Sequence, residues 1–363
     1  MEADIFVAGF FAPWLLYAGI FVLNRFLPAR QVQGYLRDAE GQPICYQLNG
    51  LLVLGVVAAT YGVGAWLGWW DWAWFYLHRW PMLTGAFVLG LLYSLQLVLP
   101  AASTGKPFLA DLFLGRTDNQ TYLSRVDAKM YLYLVGAIML FLNTVSFTAY
   151  HVQTSTELNA GVIVHACLLT WFVIDYLIFE RVHLYTYDIF AERLGFKLAW
   201  GCMVFYPFFY VVGLWGTVPL APPPIIQAFA WPWLTLAALV FFAGWMLARG
   251  ANMQKYFFKR DPAYRFLNIT PEYVSNDQGK LLCNGFWGAS RHINYLGEIL
   301  MATGLALALG HLDILWPWLY PLYYVALLGT RERDDDRRCA NKYGPLWDEY
   351  RRRVPYRIIP RVY

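Results

Sequence analysis

Long apolar runs, broken at fairly regular intervals by short polar segments, dominate the chain. Runs near 20 residues are long enough to cross the hydrocarbon core of a bilayer as helices. They predict spans at roughly 5–24, 47–69, 81–100, 130–150, 160–179, 196–216, 226–248, 294–310 and 313–330. The predicted fold is all-α: a polytopic transmembrane helical bundle of about nine spans, or ten if 183–195 dips into the bilayer. The first run is too long and too weakly cationic at its start for a cleaved signal peptide, so it is kept as a span. Gly195, Gly201, Pro207, Gly213 and Gly216 punctuate the sixth run, which favours close packing or a kink there. No internal repeat or soluble domain is visible, and the chain divides into a bundle at 1–248 and a C-terminal region at 249–363.

Composition agrees with this pattern. Of 363 residues, 59% are hydrophobic, 19% aromatic and only 14% charged, which excludes an ordinary soluble domain. Charge orients the bundle. One set of loops carries Arg25, Arg30 and Arg37, then Lys106, Arg116 and Arg125, then Arg181 and Arg193, then Lys255, Lys259 and Arg260. The alternate loops are nearly free of cations, Arg79 excepted, so the N-terminus is expected outside and the C-terminus in the cytoplasm. The net charge of +4 sits beside the bilayer and calls for no nucleic-acid partner. Trp69 to Trp74 reads as an aromatic belt at the outer interface. The five cysteines and six histidines show neither zinc spacing nor a histidine box, so no metal site is expected.

Two stretches carry candidate chemistry. In Trp171-Phe-Val-Ile-Asp-Tyr-Leu-Ile-Phe-Glu180, ionisable groups stand at the end of a span, where they are expensive to keep. Asp175 and Glu180 are five apart, whereas Tyr176 and Glu180 are four apart and are expected on one helical face. Near the C-terminus, Arg249, Asn252, Lys255 and Lys259 form a basic face able to grip phosphate groups or lipid headgroups. Beyond it, Trp287, Arg291 and Tyr295 recur every four residues, as do Arg331, Asp335, Cys339 and Tyr343. A ring for stacking, fixed cations and a carboxylate suit a dinucleotide or another adenine cofactor. No GxGxxG motif follows a strand, so a Rossmann domain is not how it would be held.

Taken together, these motifs resemble the membrane sterol reductase family, which includes the reductases of the sterol 7, 14 and 24(28) double bonds and the membrane part of the lamin B receptor. The resemblance rests on Asn252-x-Gln-Lys, Gly285-Phe-Trp-Gly-x-x-Arg-His-x-Asn-Tyr-x-Gly297, Arg331-x-x-x-Asp335, Arg338-Cys-x-x-Lys-Tyr-Gly-x-x-Trp347 and Val354-Pro-Tyr-Arg-Ile-Ile-Pro360. Weaker matches lie upstream at Tyr46-x-x-Asn-Gly50, Gly115-Arg-x-x-Asn119, Asp127-x-Lys129, Asp175 with Glu180, and Thr186-x-Asp188. The resemblance implies NADPH-dependent reduction of a carbon–carbon double bond. It also implies that Lys255, Lys259, Trp287, Arg291, Asn294, Tyr295, Arg331, Asp335, Cys339 and Tyr343 line the NADPH site, with Asn252 on the same face. The chain departs from the family pattern at Phe172, Phe179, Cys202, Gly213 and Val135-Gly136. Phe172 stands where the family has a tyrosine, which leaves Tyr176, Glu180 and Asp175 as the candidate catalytic groups.

The reading reached is a multi-pass oxidoreductase of a bacterial inner membrane or the endoplasmic reticulum. It would reduce a sterol-like or isoprenoid lipid by protonating the alkene and delivering hydride from NADPH. One rival is a membrane methyltransferase of the isoprenylcysteine type; its cofactor has no phosphates for Lys255 and Lys259 to hold. A second is a non-catalytic homologue that keeps only lipid and NADPH binding.

Overall fold

The computed structural model describes residues 2–38 and 40–363. Each expected span is met by helix: α1 (Glu2–Phe26), α2 (Gly50–Trp66), α3 (Arg79–Val98), α4 (Ala128–Thr154), α5 (Ala160–Ile178), a broken helix at 196–217, α6 (Pro224–Arg260), α7 (Ile293–Leu309) and α8 (Leu319–Tyr343). A short α9 (Pro345–Arg353) follows. Six of these are long and apolar enough to cross a membrane, while α2 and α7 are apolar but shorter. The segment expected to cross at 313–330 opens with a 3₁₀ turn at Trp316–Trp318 and then forms the first half of α8. The all-α expectation needs one correction. Among the described residues three antiparallel hairpins occur: β1 (Arg30–Arg37) with β2 (Pro43–Leu48), β3 (Thr121–Tyr122) with β4 (Val126–Asp127), and β5 (Tyr273–Asn276) with β6 (Gly279–Leu282). All lie in polar connections, where a hairpin satisfies backbone groups that no helix covers.

The chain forms two compact units, Met1–Ala221 and Pro222–Tyr363. The position 248/249 lies inside α6, and the two compact units part at the proline-rich turn before that helix. In the first unit α4 is the buried centre; Leu132, Val135, Ile138, Met139 and Leu140 are fully covered. The broken helix runs beside it through a π-helical turn, Gly201–Phe205. Pro207 has no N–H to offer the Met203 carbonyl one turn back, and the Tyr17 hydroxyl donates to that carbonyl instead at 2.6 Å. Tyr131 in turn donates to the Tyr17 carbonyl at 2.8 Å, and Asn143 to the Pro207 carbonyl at 2.9 Å. Side chains from α1 and α4 therefore meet the hydrogen bonds that the break gives up.

In the second unit, α6 bends where Phe229 leaves helical geometry, three residues before Pro232. Farther along, α6 and α7 approach through glycines. A methyl group at Gly297 would sit 2.5 Å from the Ala248 nitrogen, and one at Gly304 would sit 2.7 Å from the Phe241 nitrogen. Small residues let the two backbones touch, as in other helix pairs packed inside membranes. This contact fixes the register of α6 against the start of α7, where the candidate residues lie.

Candidate functional site

The basic end of α6 faces side chains from three other elements of the second unit. Lys255 Nζ stands 5.5 Å from the centre of the Trp287 ring, a cation–π distance, and the indole donates to the Ala251 carbonyl at 2.8 Å. The Asn294 amide nitrogen lies 3.5 Å from the Asn252 amide oxygen. Lys259 donates to the Lys280 carbonyl at the start of β6, at 3.2 Å. Gln254 has a structural task. It accepts from the Phe286 N–H at 3.0 Å and donates to the Asn284 carbonyl at 3.3 Å, pinning the turn in which Gly285 holds φ +65°.

The structure corrects one expected face. Trp287, Arg291 and Tyr295 do not share a helix, because a one-turn helix, Phe286–Ala289, ends at an extended Ser290 before α7 begins. The backbone N–H groups of Arg291 and His292 bond instead to the carbonyls of Tyr356 and Arg357, at 2.9 and 2.8 Å, and Ser290 Oγ donates to Ile358 at 2.8 Å. Arg291 follows the tail as well; its Nη1 donates to Val354 at 2.8 Å and Pro355 at 3.0 Å. Tyr295 is buried beneath the His292 ring, with centroids 4.8 Å apart.

Arg331, Asp335, Cys339 and Tyr343 do lie on one helix, α8. A four-residue step turns about 40° further than a full turn, so the stripe drifts by roughly 120° from end to end. Tyr343 has accordingly rotated into an apolar cluster with Val274, Leu346, Trp347, Tyr350 and Val354, against which Cys339 also packs. Asp335 remains central. Lys255, Arg338 and Arg331 are its cationic neighbours, yet burial outweighs them and holds its carboxyl above the usual range. Cys339 Sγ lies 3.9 Å from Asp335 Oδ2, and burial with that carboxylate pushes the thiol up to about 12.

Sequence reasoning passed over His292 and Glu332. His292 Nε2 lies 3.9 Å from Asp335 Oδ2, and burial with Arg291, Lys255 and Arg357 nearby lowers its imidazole to about 3, so the ring is neutral. Glu332 is fully buried and receives Arg357 Nη1 at 3.3 Å. The signal for both was the charged residue adjoining each motif position already singled out, Arg291 and Arg331. His292 Nε2 and Asn294 Oδ1 are buried without a hydrogen-bond partner. An orphan amide acceptor and an imidazole edge, flanked by lysines and a tryptophan face, suit a ligand that carries both phosphates and an amide.

The first unit holds the other candidates. Asp175 and Tyr176 end α5, and both Asp175 and Glu180 are buried. The expected common face of Tyr176 and Glu180 is broken, because Phe179 leaves helical geometry (φ −103°, ψ 25°) and a new short helix starts at Glu180. Glu180 Oε2 accepts from the Gly50 N–H at 3.1 Å, at the N-terminus of α2, where the helix dipole favours an acid. Burial nevertheless pushes its carboxyl up to about 7. A side chain at Gly50 would collide with that carboxylate, and Asn49 ties the same corner to α1 through the Asn24 and Leu27 carbonyls. The Tyr176 ring lies 3.9 Å from that of His183 and 5.9 Å from Tyr133. Phe172 has a phenol beside it, Tyr210, at 6.4 Å between centroids. Tyr206 fills the space where any side chain at Gly136 would have to go. No spacing within α5 could reveal these tyrosines.

Upstream motifs mainly hold loops. Asp127 caps α4 through the Met130 N–H at 2.9 Å, and Lys129 donates to the Ile189 and Glu192 carbonyls at 2.7 and 2.6 Å. Among the described residues no cluster of His, Cys, Asp and Glu is arranged to hold a metal.

Comparison with known proteins adds the following. The model of the ergosterol biosynthesis ERG4/ERG24 family matches residues 6–363. The chain is 33% identical to a Delta(14)-sterol reductase of Arabidopsis thaliana, over 99% of this chain and 96% of that protein. It is 34% identical to the Mus musculus Delta(14)-sterol reductase TM7SF2, over 97% of this chain and 86% of that protein. With a bacterial Delta(14)-sterol reductase, from Methylotuvimicrobium alcaliphilum, it shares 30% identity over 98% of this chain and 83% of that protein.

Proposed function

The chain belongs to the ergosterol biosynthesis ERG4/ERG24 family, and on that premise we propose that it reduces the Delta(14) carbon–carbon double bond of a membrane-dissolved sterol with NADPH. The observation that carries the cofactor half of this reading is the gathering of Lys255, Trp287, Asn252, Asn294 and Asp335 from separate elements of the second unit. Lys255 and Lys259 attract phosphate, and their charge favours NADPH, with its extra phosphate, over NADH. Trp287 offers a stacking plane, the two asparagines can pair with an amide, and Asp335 accepts a hydroxyl or amide hydrogen.

An isolated alkene is a poor hydride acceptor and reacts only if protonated beforehand or in concert. Protonation of the less substituted carbon leaves positive charge on the fully substituted one. NADPH, when bound, supplies the hydride that quenches that charge. The proton comes from the group at the end of α5. Glu180, with a carboxyl pushed up to about 7, is the side chain there that is partly protonated at neutral pH, and Tyr176 and Asp175 orient and relay. The rings of Tyr133 and His183, beside Tyr176, make the surroundings of these groups less polar than water.

The test is direct. Purified protein is given a Delta(14)-unsaturated sterol and NADPH, and the sterol is analysed by mass spectrometry. The reading requires a product two mass units heavier, with one NADPH consumed per molecule. Cofactor binding without reduction of that sterol, or of other unsaturated sterols, would favour the non-catalytic alternative that Phe172 raises.

A further inference from the structure

Four arginines converge on one recess of the second unit, and three of them have no part in the reading above. The recess, about 380 Å³, is lined by Arg291, Asp348, Arg351, Arg352, Pro355 and Arg357. It arises from the pattern of α9. Leu346, Trp347 and Tyr350 pack inward, which leaves Asp348, Arg351 and Arg352 on the other side at helical spacing. The chain then turns at Pro355 and brings Arg357 to the same place.

The charges here are not balanced. Asp348 is the recess's own carboxylate, 3.9 Å from Arg351. Arg357 is partly engaged by Glu332, which does not line the recess, and Arg291 stands 4.0 Å from Asp336. Four cations face three carboxylates, one lining the recess and two paired with its arginines from outside the lining, which leaves one positive charge in excess. Arg291 adds an independent observation. Its side chain is 3% exposed, its Nη1 is spent on two tail carbonyls, and its Nε is buried with no hydrogen-bond partner. A buried guanidinium N–H left unsatisfied is costly, so the Arg291 guanidinium is held in place against that cost, and an anion in the recess would answer the charge gathered around it. Arginines at the end of α9 also complement its dipole, but that does not explain why Arg291 and Arg357, from outside α9, line the same recess.

We propose that this recess binds a phosphate ester, gripped by the forked donors of Arg351, Arg352 and Arg357 with Arg291 at its floor. The guanidinium fork matches phosphate oxygens, and a recess larger than one phosphate admits a group carried on a larger molecule. Arg291 lies two residues before the apolar helix α7, so the recess stands at the level of lipid headgroups if α7 enters the bilayer. A headgroup and a soluble nucleotide phosphate share this chemistry.

The experiment uses the full chain in detergent and in lipid nanodiscs, comparing wild type with R351Q/R352Q. Both residues are exposed, so the variant should fold. A control, R337Q/R353Q, removes the same charge from exposed sites outside the recess. At fixed ionic strength, inorganic pyrophosphate should raise the melting temperature of wild type and control with the same midpoint. The midpoint for R351Q/R352Q should be shifted roughly tenfold or more, as for the loss of a charge-assisted contact. If phosphatidylglycerol discs stabilise wild type over phosphatidylcholine discs and R351Q/R352Q abolishes the difference, the source is a headgroup. If 2′,5′-ADP takes the place of pyrophosphate with that same dependence, it is a nucleotide. Equal responses in all three proteins, or no response to any of these probes, would overturn the proposal and leave the arginines as a helix cap. Sterol reduction is assayed in parallel; its absence would strike the proposed function without touching this result.

Discussion

The two regions with candidate chemistry are built in opposite ways. In the second unit, cations, an indole, two amides and a carboxylate are brought together from α6, the one-turn helix at Phe286–Ala289, α7 and α8. In the first unit, Asp175, Tyr176 and Glu180 are near neighbours in sequence, yet a helix break at Phe179 sends Glu180 to a different partner, the N-terminus of α2. A ligand grip can be assembled from long rigid helices whose positions are fixed by glycine contacts. An acid that must stay protonated near neutral pH needs burial and a local break that aims it.

Four tests would break or sharpen that contrast. The largest effect is expected in the first unit. Glu180→Gln and Tyr176→Phe should lower turnover by roughly 10²-fold or more, the scale of a lost general acid, with NADPH affinity unchanged in a binding assay. Next, Lys255→Ala should weaken NADPH binding by roughly ten- to a hundredfold while leaving NADPH-saturated turnover much less affected, which titration and steady-state kinetics separate. Third, Gly297→Ala places a methyl group 2.5 Å from the Ala248 nitrogen and should cost about 1–3 kcal/mol, read as a lowered melting temperature. Gly329→Ala, with nothing within 4 Å, should cost nothing.

The smallest effect is a slope. Glu180 is raised from 4.5 to about 7 in the folded protein, so the native state holds a proton that the unfolded chain has released. This contribution to stability is fully present below about 4.5 and lost as pH rises through about 7. Glu180→Gln should flatten that part of the melting-temperature profile. An unchanged slope would mean that Glu180 is ionised throughout.

Helices were legible because apolar runs of spanning length are a strong signal, and each expected span is helical. The hairpins were not, because their strands lie in connections between helices and show no apolar–polar alternation strong enough to stand out beside the long apolar runs. The stripe Arg331–Asp335–Cys339–Tyr343 was readable to the extent that α8 is continuous, though its drift carries Tyr343 into the apolar cluster. The stripe Trp287–Arg291–Tyr295 was misleading, since periodicity says nothing about a chain that leaves the helix at Ser290 to pair with a tail 65 residues later. Tyr206, in the space left by Gly136, and Tyr210, beside Phe172, were hidden for a like reason: they arrive from another stretch of helix.

The central claim is that the second unit's cluster holds NADPH. It is tested most directly by titrating NADPH into wild type, Lys255→Ala and Glu180→Gln and following the melting temperature. The account predicts a saturable rise in wild type, the same rise in Glu180→Gln, and a curve displaced to much higher concentration in Lys255→Ala. Identical curves for wild type and Lys255→Ala, or no rise in wild type, would contradict it.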